Sequence, residues 1–461
     1  MSEVCLYRVL NPATGTVEAE YPTATDAEVS AAVERADRAY RQWSQTPPAE
    51  RRRVLAAAAD LFEKRADDLG TIITREMGKL TRAATGEATF SGEILRFYAD
   101  RGEQLLADQQ LDRAAGGTVV VQKRSIGTIF GVMPWNYPYY QAIRFAAPNL
   151  LLGNTILLKH APSCPESALA IGQIFTDAGL PDGAFQSIFA SNAQSASIIG
   201  DDRIHGVSLT GSERAGGAVG ETAGRHLKKV VLELGGSDAV IIRPDADPLT
   251  TAEAVVTSRL ANSGQACNSP KRILVAAEIF DRFLDRVVEF VRGIAPGDPS
   301  DESTMLAPMA SHEAARALRA QVLDAVHQGA TVHAGDPDAI IGAAGYGPVV
   351  MSGITPAMRA YREELFGPVI ALYRVDDDAE AVRLANDTAF GLGATIFTAD
   401  HTAATALAEH LQVGMVNINR IPDSAPDVPF GGIKKSGFGR ELGALGVDEF
   451  ANKKVLWSAD S

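Results

Sequence analysis

Cysteine is scarce in this chain: Cys5, Cys164 and Cys267 are the only three among 461 residues. Their wide spacing suits neither a disulfide framework nor a zinc site, so a reducing cytoplasm is the expected compartment. No H-E-x-x-H and no Cys/His pairing occurs, so no catalytic metal is expected. Long apolar runs are missing as well: none approaches the ~18 residues that a membrane span needs. The opening Met-Ser-Glu-Val-Cys is not a basic start followed by an apolar stretch, so no signal peptide is expected. Gly/Ser-rich linkers and internal repeats are absent. So are the phosphate-binding fingerprints G-x-G-x-x-G and G-x-x-x-x-G-K-[ST]. Positive charge is in deficit, with 43 Lys and Arg against 57 Asp and Glu. That balance argues against nucleic acid or an anionic membrane as partner and leaves anionic small molecules open.

What remains is an ordinary globular composition, 46% apolar and 22% charged, which permits a large core. The length suggests about three domains of roughly 150 residues. The first hundred residues read as helical. Thr25-Asp-Ala-Glu28 is a capping box, and Val29, Ala32, Val33 and Ala36 recur at helical spacing, as do Val54, Ala58, Leu61 and Phe62 after Pro47-Pro48. At Thr118 the character changes. Two β-branched runs around Lys123-Arg124 predict a strand pair. Strand-like and helical patterns then alternate from 128 to 234, and a second alternating series runs from Ala239 to Ile418. Such alternation implies crossover connections and mostly parallel sheets. Two such units imply a cleft with ligands at the carboxyl ends of strands. The last segment, Phe-Ala-Asn-Lys-Lys-Val-Leu-Trp457, is a lone strand expected to pair with the early strand pair or with another subunit.

Several short stretches carry candidate chemistry. In Leu-Ala-Asn-Ser-Gly-Gln-Ala-Cys267 an apolar helix runs into loop formers and presents a thiol. A cysteine on such a loop can face a cleft as a nucleophile, its backbone N–H towards an oxyanion; a buried core cysteine is the alternative. Glu233 ends an apolar strand before Gly235-Gly236, and low dielectric would raise its pKa to suit a general base. A strand-edge glutamate is the plainer reading. The Asn136 amide, between a strand and a helix begun by Pro138, could donate to an oxyanion or simply fill a turn. Lys159 ends a strand. Gly211 and Ser212 lie at a strand-to-helix turn of the kind that binds phosphate, a weak signal taken alone.

The order of these motifs is specific where each alone is not. Pro134-Trp-Asn-Tyr-Pro138, Lys159, Thr210-Gly-Ser212, Leu232-Glu-Leu-Gly-Gly236, Gly264-Gln-Ala-Cys267, Glu363-Glu-Leu-Phe-Gly-Pro368 and Pro429-Phe-Gly-Gly-Ile-Lys-Lys-Ser-Gly437 make the chain resemble the aldehyde dehydrogenase superfamily over nearly its whole length. The resemblance implies an α/β fold of two domains with mostly parallel sheets and a small β oligomerisation element. It allots residues 1–111 and 128–234 to cofactor binding, 235–428 to catalysis, and 112–127 with 447–461 to oligomerisation strands in a homodimer or homotetramer.

It also implies roles. Cys267 attacks the aldehyde; Asn136 and the Cys267 N–H hold the thiohemiacetal oxyanion; hydride leaves for a nicotinamide. Glu233 activates water against the thioester, and Glu441 relays the proton. Lys159, placed with the catalytic set as well, and Glu364 hold the two riboses. Trp135 and Ser212 contact the pyrophosphate, and Phe366 lies on the nicotinamide ribose. Met133, Pro134, Asn136, Pro162, Gly211 and Leu234 complete the cofactor contacts. The nearest likeness is to bacterial succinate-semialdehyde dehydrogenases, with Arg144 and Ser424 as candidates for the substrate carboxylate and Arg420 as a further pocket residue. A second arginine that some relatives carry before the nucleophile is Ala261 here, and a second cysteine after it is Ser269. Glutarate semialdehyde, a CoA-acylating reaction and a silent scaffold remain alternatives. Either NAD or NADP is expected as cofactor, with NADP favoured. Pro162 stands where NAD-bound relatives carry a glutamate that repels the extra phosphate, and His160 and Ser163 lie beside it.

Overall fold

The computed structural model describes residues 7–112 and 117–459. Cys5 and the expected boundaries' residues 1–6, 113–116 and 460–461 lie outside that description. The capping box forms as read: the Thr25 hydroxyl accepts from the Glu28 N–H at 3.2 Å, and the Glu28 carboxylate accepts from the Thr25 N–H at 2.7 Å. Helix Asp26–Trp43 follows and buries Val29, Ala32, Val33 and Ala36. Helix Pro48–Lys64 buries Val54, Ala58 and Phe62. Asp26–Trp43 packs on strands of the first of two large sheets, while Pro48–Lys64, Ala66–Met77 and Thr81–Leu105 pack on one another and on helices Pro138–Leu152 and Pro165–Asp177.

That sheet has six strands, in the order Gly437–Phe438, Lys229–Glu233, Ile204–Thr210, Thr128–Val132, Thr155–Lys159 and Phe185–Ser187. It is parallel except where Gly437–Phe438 runs antiparallel to Lys229–Glu233. The second sheet has seven, in the order Thr331–Ala334, Val349–Ser352, Val369–Val375, Arg272–Ala276, Ala239–Ile242, Gly393–Phe397 and Met415–Ile418. Only its Thr331–Ala334 edge is antiparallel. Strands such as Thr155–Lys159 and Arg272–Ala276 are buried along their whole length. Helices on both faces require that, so these strands read as apolar runs without alternation. The third sheet is small and antiparallel: Ala451–Ser458 pairs with Thr118–Ser125, which pairs with Gln109–Leu111. No helix among the described residues is long and apolar enough to cross a membrane.

The structure corrects the sequence reading in several places. The two runs around Lys123-Arg124 are not a strand pair. Thr118–Ser125 is one strand of the small sheet and Thr128–Val132 belongs to the six-stranded sheet. Between them the chain is redirected at Gly127 (φ 144°), and the Asn154 side chain accepts from the N–H groups of Ile126 and Gly127 at 2.7 and 3.1 Å. The small sheet begins at Gln109, before the expected boundary at 112. Residues 429–446, which the reading assigns to no domain, return to the first sheet through Gly437–Phe438. The opening segment is not purely helical: Tyr7–Leu10 and Val17–Tyr21 form a hairpin.

Candidate active site

The segment carrying the thiol is built by backbone strain. Past Ala261, one residue beyond the end of helix Pro248–Leu260, come three successive left-handed residues, Asn262 (φ 50°), Ser263 (φ 53°) and Gly264 (φ 72°). For the two that are not glycine this costs about 1–3 kcal/mol each, so surrounding contacts must hold them. The Ser263 hydroxyl donates to the Ala307 carbonyl at 2.8 Å, and the Asn262 amide donates to the Asn136 carbonyl at 3.0 Å. Gly264 is obligatory on a second ground: a Cβ there would lie 2.3 Å from the Gly367 carbonyl oxygen. Beneath the loop the fully buried Arg259 guanidinium donates to the carbonyls of Gly264 (3.1 Å), Leu365 (2.7 Å) and Val369 (2.7 Å) and to the Ser269 hydroxyl (2.9 Å). The thiol loop and the segment around Phe366 are therefore clamped to one cation.

Cys267 emerges partly exposed onto a cavity of about 200 Å³ walled by Tyr137, Tyr140, Gln141, Asn268, Ser424 and Phe430 among others. Burial pushes its thiol up to about 11, while Lys271 and Arg144 pull the other way. Asn136 is buried beside it. Its side-chain amide donates to the Gln265 carbonyl at 3.0 Å, which leaves its second N–H for another acceptor. Its backbone carbonyl accepts from the Lys79 ammonium at 3.0 Å. Lys79 pairs with Glu87 in the interior, and Glu87 accepts from the N–H groups of Tyr139 (2.9 Å) and Tyr140 (3.2 Å), capping helix Pro138–Leu152 from outside. The Asn136 turn is thus pinned from several directions.

Glu233 ends its strand opposite Thr210 and Gly437. Both carboxyl oxygens are buried without a hydrogen-bond partner, and burial pushes its pKa well above the ordinary carboxyl range. The glycines that follow permit close approach. A Cβ on Gly236 would lie 2.4 Å from the Cys267 carbonyl oxygen, and one on Gly235 would lie 2.5 Å from the Glu364 carboxylate.

Most of the residues expected at the cofactor lie at or just past the ends of strands in the first sheet. Lys159 ends its strand, nearly buried, with its ammonium 5.8 Å from the Tyr7 ring centre. Its carbonyl accepts from the Met133 N–H at 3.1 Å, and half-buried Pro134 follows. The rings of Trp135 and Phe366 meet edge to face at 5.8 Å. Gly211 donates to the Glu233 carbonyl at 2.9 Å; exposed Ser212 caps helix Glu213–Arg225. Leu234 packs so tightly on Gly216 that a Cβ there would lie 2.6 Å away. The Pro162 carbonyl accepts from the Arg8 N–H at 3.0 Å, so the unforeseen N-terminal hairpin lies on this loop. His160 is not available to a phosphate. It is buried, its Nε2 is 2.9 Å from the Pro138 carbonyl and its Nδ1 accepts from the Ala161 N–H; burial lowers its pKa to about 4.

Arg144 is neither solvated nor free. It is buried, ion-paired through Nε with Glu441, and donates to the Tyr140 hydroxyl at 3.3 Å and the Thr210 hydroxyl at 3.2 Å. Glu441 also accepts from the Ser208 hydroxyl at 3.0 Å. Tyr140 in turn donates to Ser424 at 3.0 Å, so a polar chain runs from Glu441 through Arg144 and Tyr140 to the cavity wall. Arg420 departs from expectation. Past the left-handed Asn419 (φ 53°) its side chain is exposed, and this segment contributes Pro422, Asp423 and Ser424 to the cavity instead. Sequence reasoning missed Tyr140, Gln141 and Lys271. Gln141 lines the cavity with its Oε1 buried and without a partner. Lys271 lies in Ser-Pro-Lys-Arg-Ile-Leu-Val, which reads only as a strand start.

A model of the aldehyde dehydrogenase family matches residues 2–456. The chain is 48% identical to the NADP-dependent succinate-semialdehyde dehydrogenase of Deinococcus radiodurans, over 98% of this chain and 94% of that one. It is 42% identical to succinate-semialdehyde dehydrogenase [NADP(+)] 1 of Mycobacterium tuberculosis, over 98% and 99%. The crystal structure of succinic semialdehyde dehydrogenase from Streptococcus pyogenes in complex with NADP+ superposes with a TM-score of 0.96 at 38% identity, covering 98% of this chain and all of that one. With its two mostly parallel sheets, and matched along almost its whole length by the family model and by relatives 48% and 42% identical to it, this chain belongs to the aldehyde dehydrogenase family.

Proposed function

We propose that the protein oxidises succinate semialdehyde to succinate with NADP, through a thioester on Cys267. The observation that carries the reading is the pairing of a partly exposed thiol on a cavity with a nearby carboxyl, Glu233, whose oxygens are buried and unpartnered. A carboxyl left dry and unpaired is costly, and such cost is kept where a proton must move.

Cys267, as thiolate, attacks the aldehyde carbon, and the oxyanion so formed takes the Cys267 backbone N–H and the second N–H of Asn136. The nicotinamide, when bound, supplies the acceptor for the hydride that leaves this carbon. Its site fits: Glu364 beside the cradle left by Gly235 suits ribose hydroxyls, and Lys159 suits the second ribose. Phe366, Trp135, Met133 and Pro134, with Leu234, Gly211 and Ser212 at the helix start, line the rest. Glu233 then takes a proton from water as the water attacks the thioester. The acid leaves and Cys267 is restored. Glu441 receives the proton from this region, with Arg144 holding its charge.

Ser424 on the cavity wall, Tyr140 and the Arg144 cation behind it favour a carboxylated aldehyde, and the named activities of the relatives support the four-carbon one. Pro162 lacks the carboxylate that would repel the extra phosphate of NADP, and half-exposed Ser163 can donate to it. A CoA-acylating reaction would give Glu233 no water to activate, and a silent relative would have no need of this constellation. We also propose association of copies through the small sheet. Strand Ala451–Ser458 lies at its edge and exposes Val455, Leu456 and Trp457. The test is a panel of aldehydes compared by kcat/KM with both cofactors. Succinate semialdehyde with NADP should lead; preference for an uncharged aldehyde, or acyl-CoA formed on adding CoA, would overturn the reading.

A further inference from the structure

We propose that Lys271 is a positioning residue that makes the reactivity of the Cys267 thiol depend on whether Glu364 is engaged by the cofactor. The proposal rests on the reading of Cys267 as nucleophile and Glu364 as a ribose ligand.

The geometry is specific. The Lys271 side chain is fully buried, and its ammonium spends all three donors within the site. It donates to the carbonyls of Ala266 (2.8 Å) and Cys267 (2.6 Å) and pairs with the Glu364 carboxylate at 2.9 Å. Glu364 accepts as well from the Gly236 N–H at 3.2 Å, just past the strand that ends in Glu233. One ammonium therefore ties together the thiol loop, the segment that carries Phe366, and the glycines after Glu233. Holding carbonyls alone does not require a charge paired with a carboxylate. Arg259 and Arg272 hold carbonyls nearby, and among the described residues neither forms an ion pair. The acidic partner is what distinguishes Lys271.

The electrostatics follow from that partner. Of the charged groups around the Cys267 thiol, Lys271 and Arg144 favour the thiolate and Glu364 and Glu233 oppose it, while Glu87 and Asp423 line the same cavity. The tyrosines at 137 and 140 also face it. Arg144 is held by Glu441 and Glu233 is partnerless, so the element open to change is the Lys271–Glu364 pair. While Glu364 is engaged by Lys271 and Gly236 alone, its charge offsets that of the ammonium. Ribose hydroxyls donating to Glu364 would spread its charge and loosen its hold, leaving the ammonium to act on the thiol loop alone. The ammonium lies 2.6 Å from the carbonyl of Cys267 itself, and an opposite charge within about 4–6 Å lowers an acid's pKa by about one unit or more, about a tenfold gain in thiolate at fixed pH.

The test is the pH profile of Cys267 alkylation by iodoacetamide across the neutral and alkaline range, with and without saturating NADP, saturation being checked by fluorescence quenching. In the wild type NADP should lower the apparent thiol pKa by about one unit. In Lys271→Met the thiol pKa of the free enzyme should rise and NADP should leave it unmoved. In Glu364→Gln the free enzyme should already show the lowered value. Lys271→Arg should keep the response, which a role in packing alone would not predict. Glu364→Gln and Lys271→Arg decide the matter if the methionine variant does not fold. A Lys271→Met or Glu364→Gln enzyme that titrates and responds as the wild type does would overturn the proposal. Alkylation is read on the peptide that contains Cys267, because Cys5 and Cys164 also carry thiols; a Cys267→Ala enzyme that keeps dehydrogenase turnover would instead overturn the reading of the nucleophile.

Discussion

Replacing Arg144 by alanine tests how the site is held together. The guanidinium is 1% exposed and its partner Glu441 4% exposed. The substitution removes the ion pair and the donors to Tyr140 and Thr210, and it strands a carboxylate in the interior. Breaking a buried pair by removing one partner costs about 3–5 kcal/mol, most of it the charge left behind. The structure therefore predicts a loss of that order for Arg144→Ala or Arg144→Met, read from urea unfolding as the midpoint shift at constant slope. It also predicts recovery of most of the loss in Arg144→Met/Glu441→Leu, because replacing both partners by apolar groups is often near neutral. Activity separates the roles. Both single variants should lose kcat/KM on an uncharged aldehyde, since Glu441 is misplaced, and lose a further factor of about 10 to 150 on succinate semialdehyde if the cation also serves the substrate carboxylate. Two results together would refute the reasoning: a single variant within about 1 kcal/mol of wild type, and a double variant no better than the single.

Other substitutions probe the remaining parts. Glu233→Gln should give a pre-steady-state burst of reduced cofactor followed by near-zero turnover, seen by stopped-flow absorbance; equal loss of burst and steady rate would assign Glu233 an earlier role. Pro162→Glu should shift the ratio of kcat/KM values towards NAD, and an unchanged ratio would place cofactor discrimination elsewhere. Gly236→Ala should displace the Cys267 carbonyl, which a Cβ would approach to 2.4 Å. Overpacking of this kind costs about 1–3 kcal/mol, and thiol alkylation and turnover should fall together.

Much of this architecture was legible from local chemistry. The Thr25–Glu28 box is a contact between near neighbours, and it forms as read. The alternation from 128 to 418 reflects strands buried on both faces, and the sheets carry it. What was not legible depends on distance along the chain. The hairpin Tyr7–Leu10 with Val17–Tyr21 is held by contacts far away, such as the Tyr7 hydroxyl on the Ala190 carbonyl at 2.9 Å. Locally Arg144 is one more helix arginine, because Glu441 is 297 positions later. Lys271 looks like a lysine at a strand start because Glu364, its counter-ion, belongs to another segment. Arg420 looks like a pocket residue because no local pattern announces that the chain turns outward at Asn419.

The central claim is that the acyl group passes through Cys267, and trapping it is the most direct test. Glu233→Gln enzyme mixed with succinate semialdehyde and NADP, quenched rapidly in acid and digested, should yield a succinyl thioester on the peptide that contains Cys267, and hydroxylamine should remove it. An enzyme that turns over under these conditions while that peptide stays unmodified, or carries the acyl group on another residue, would contradict the account.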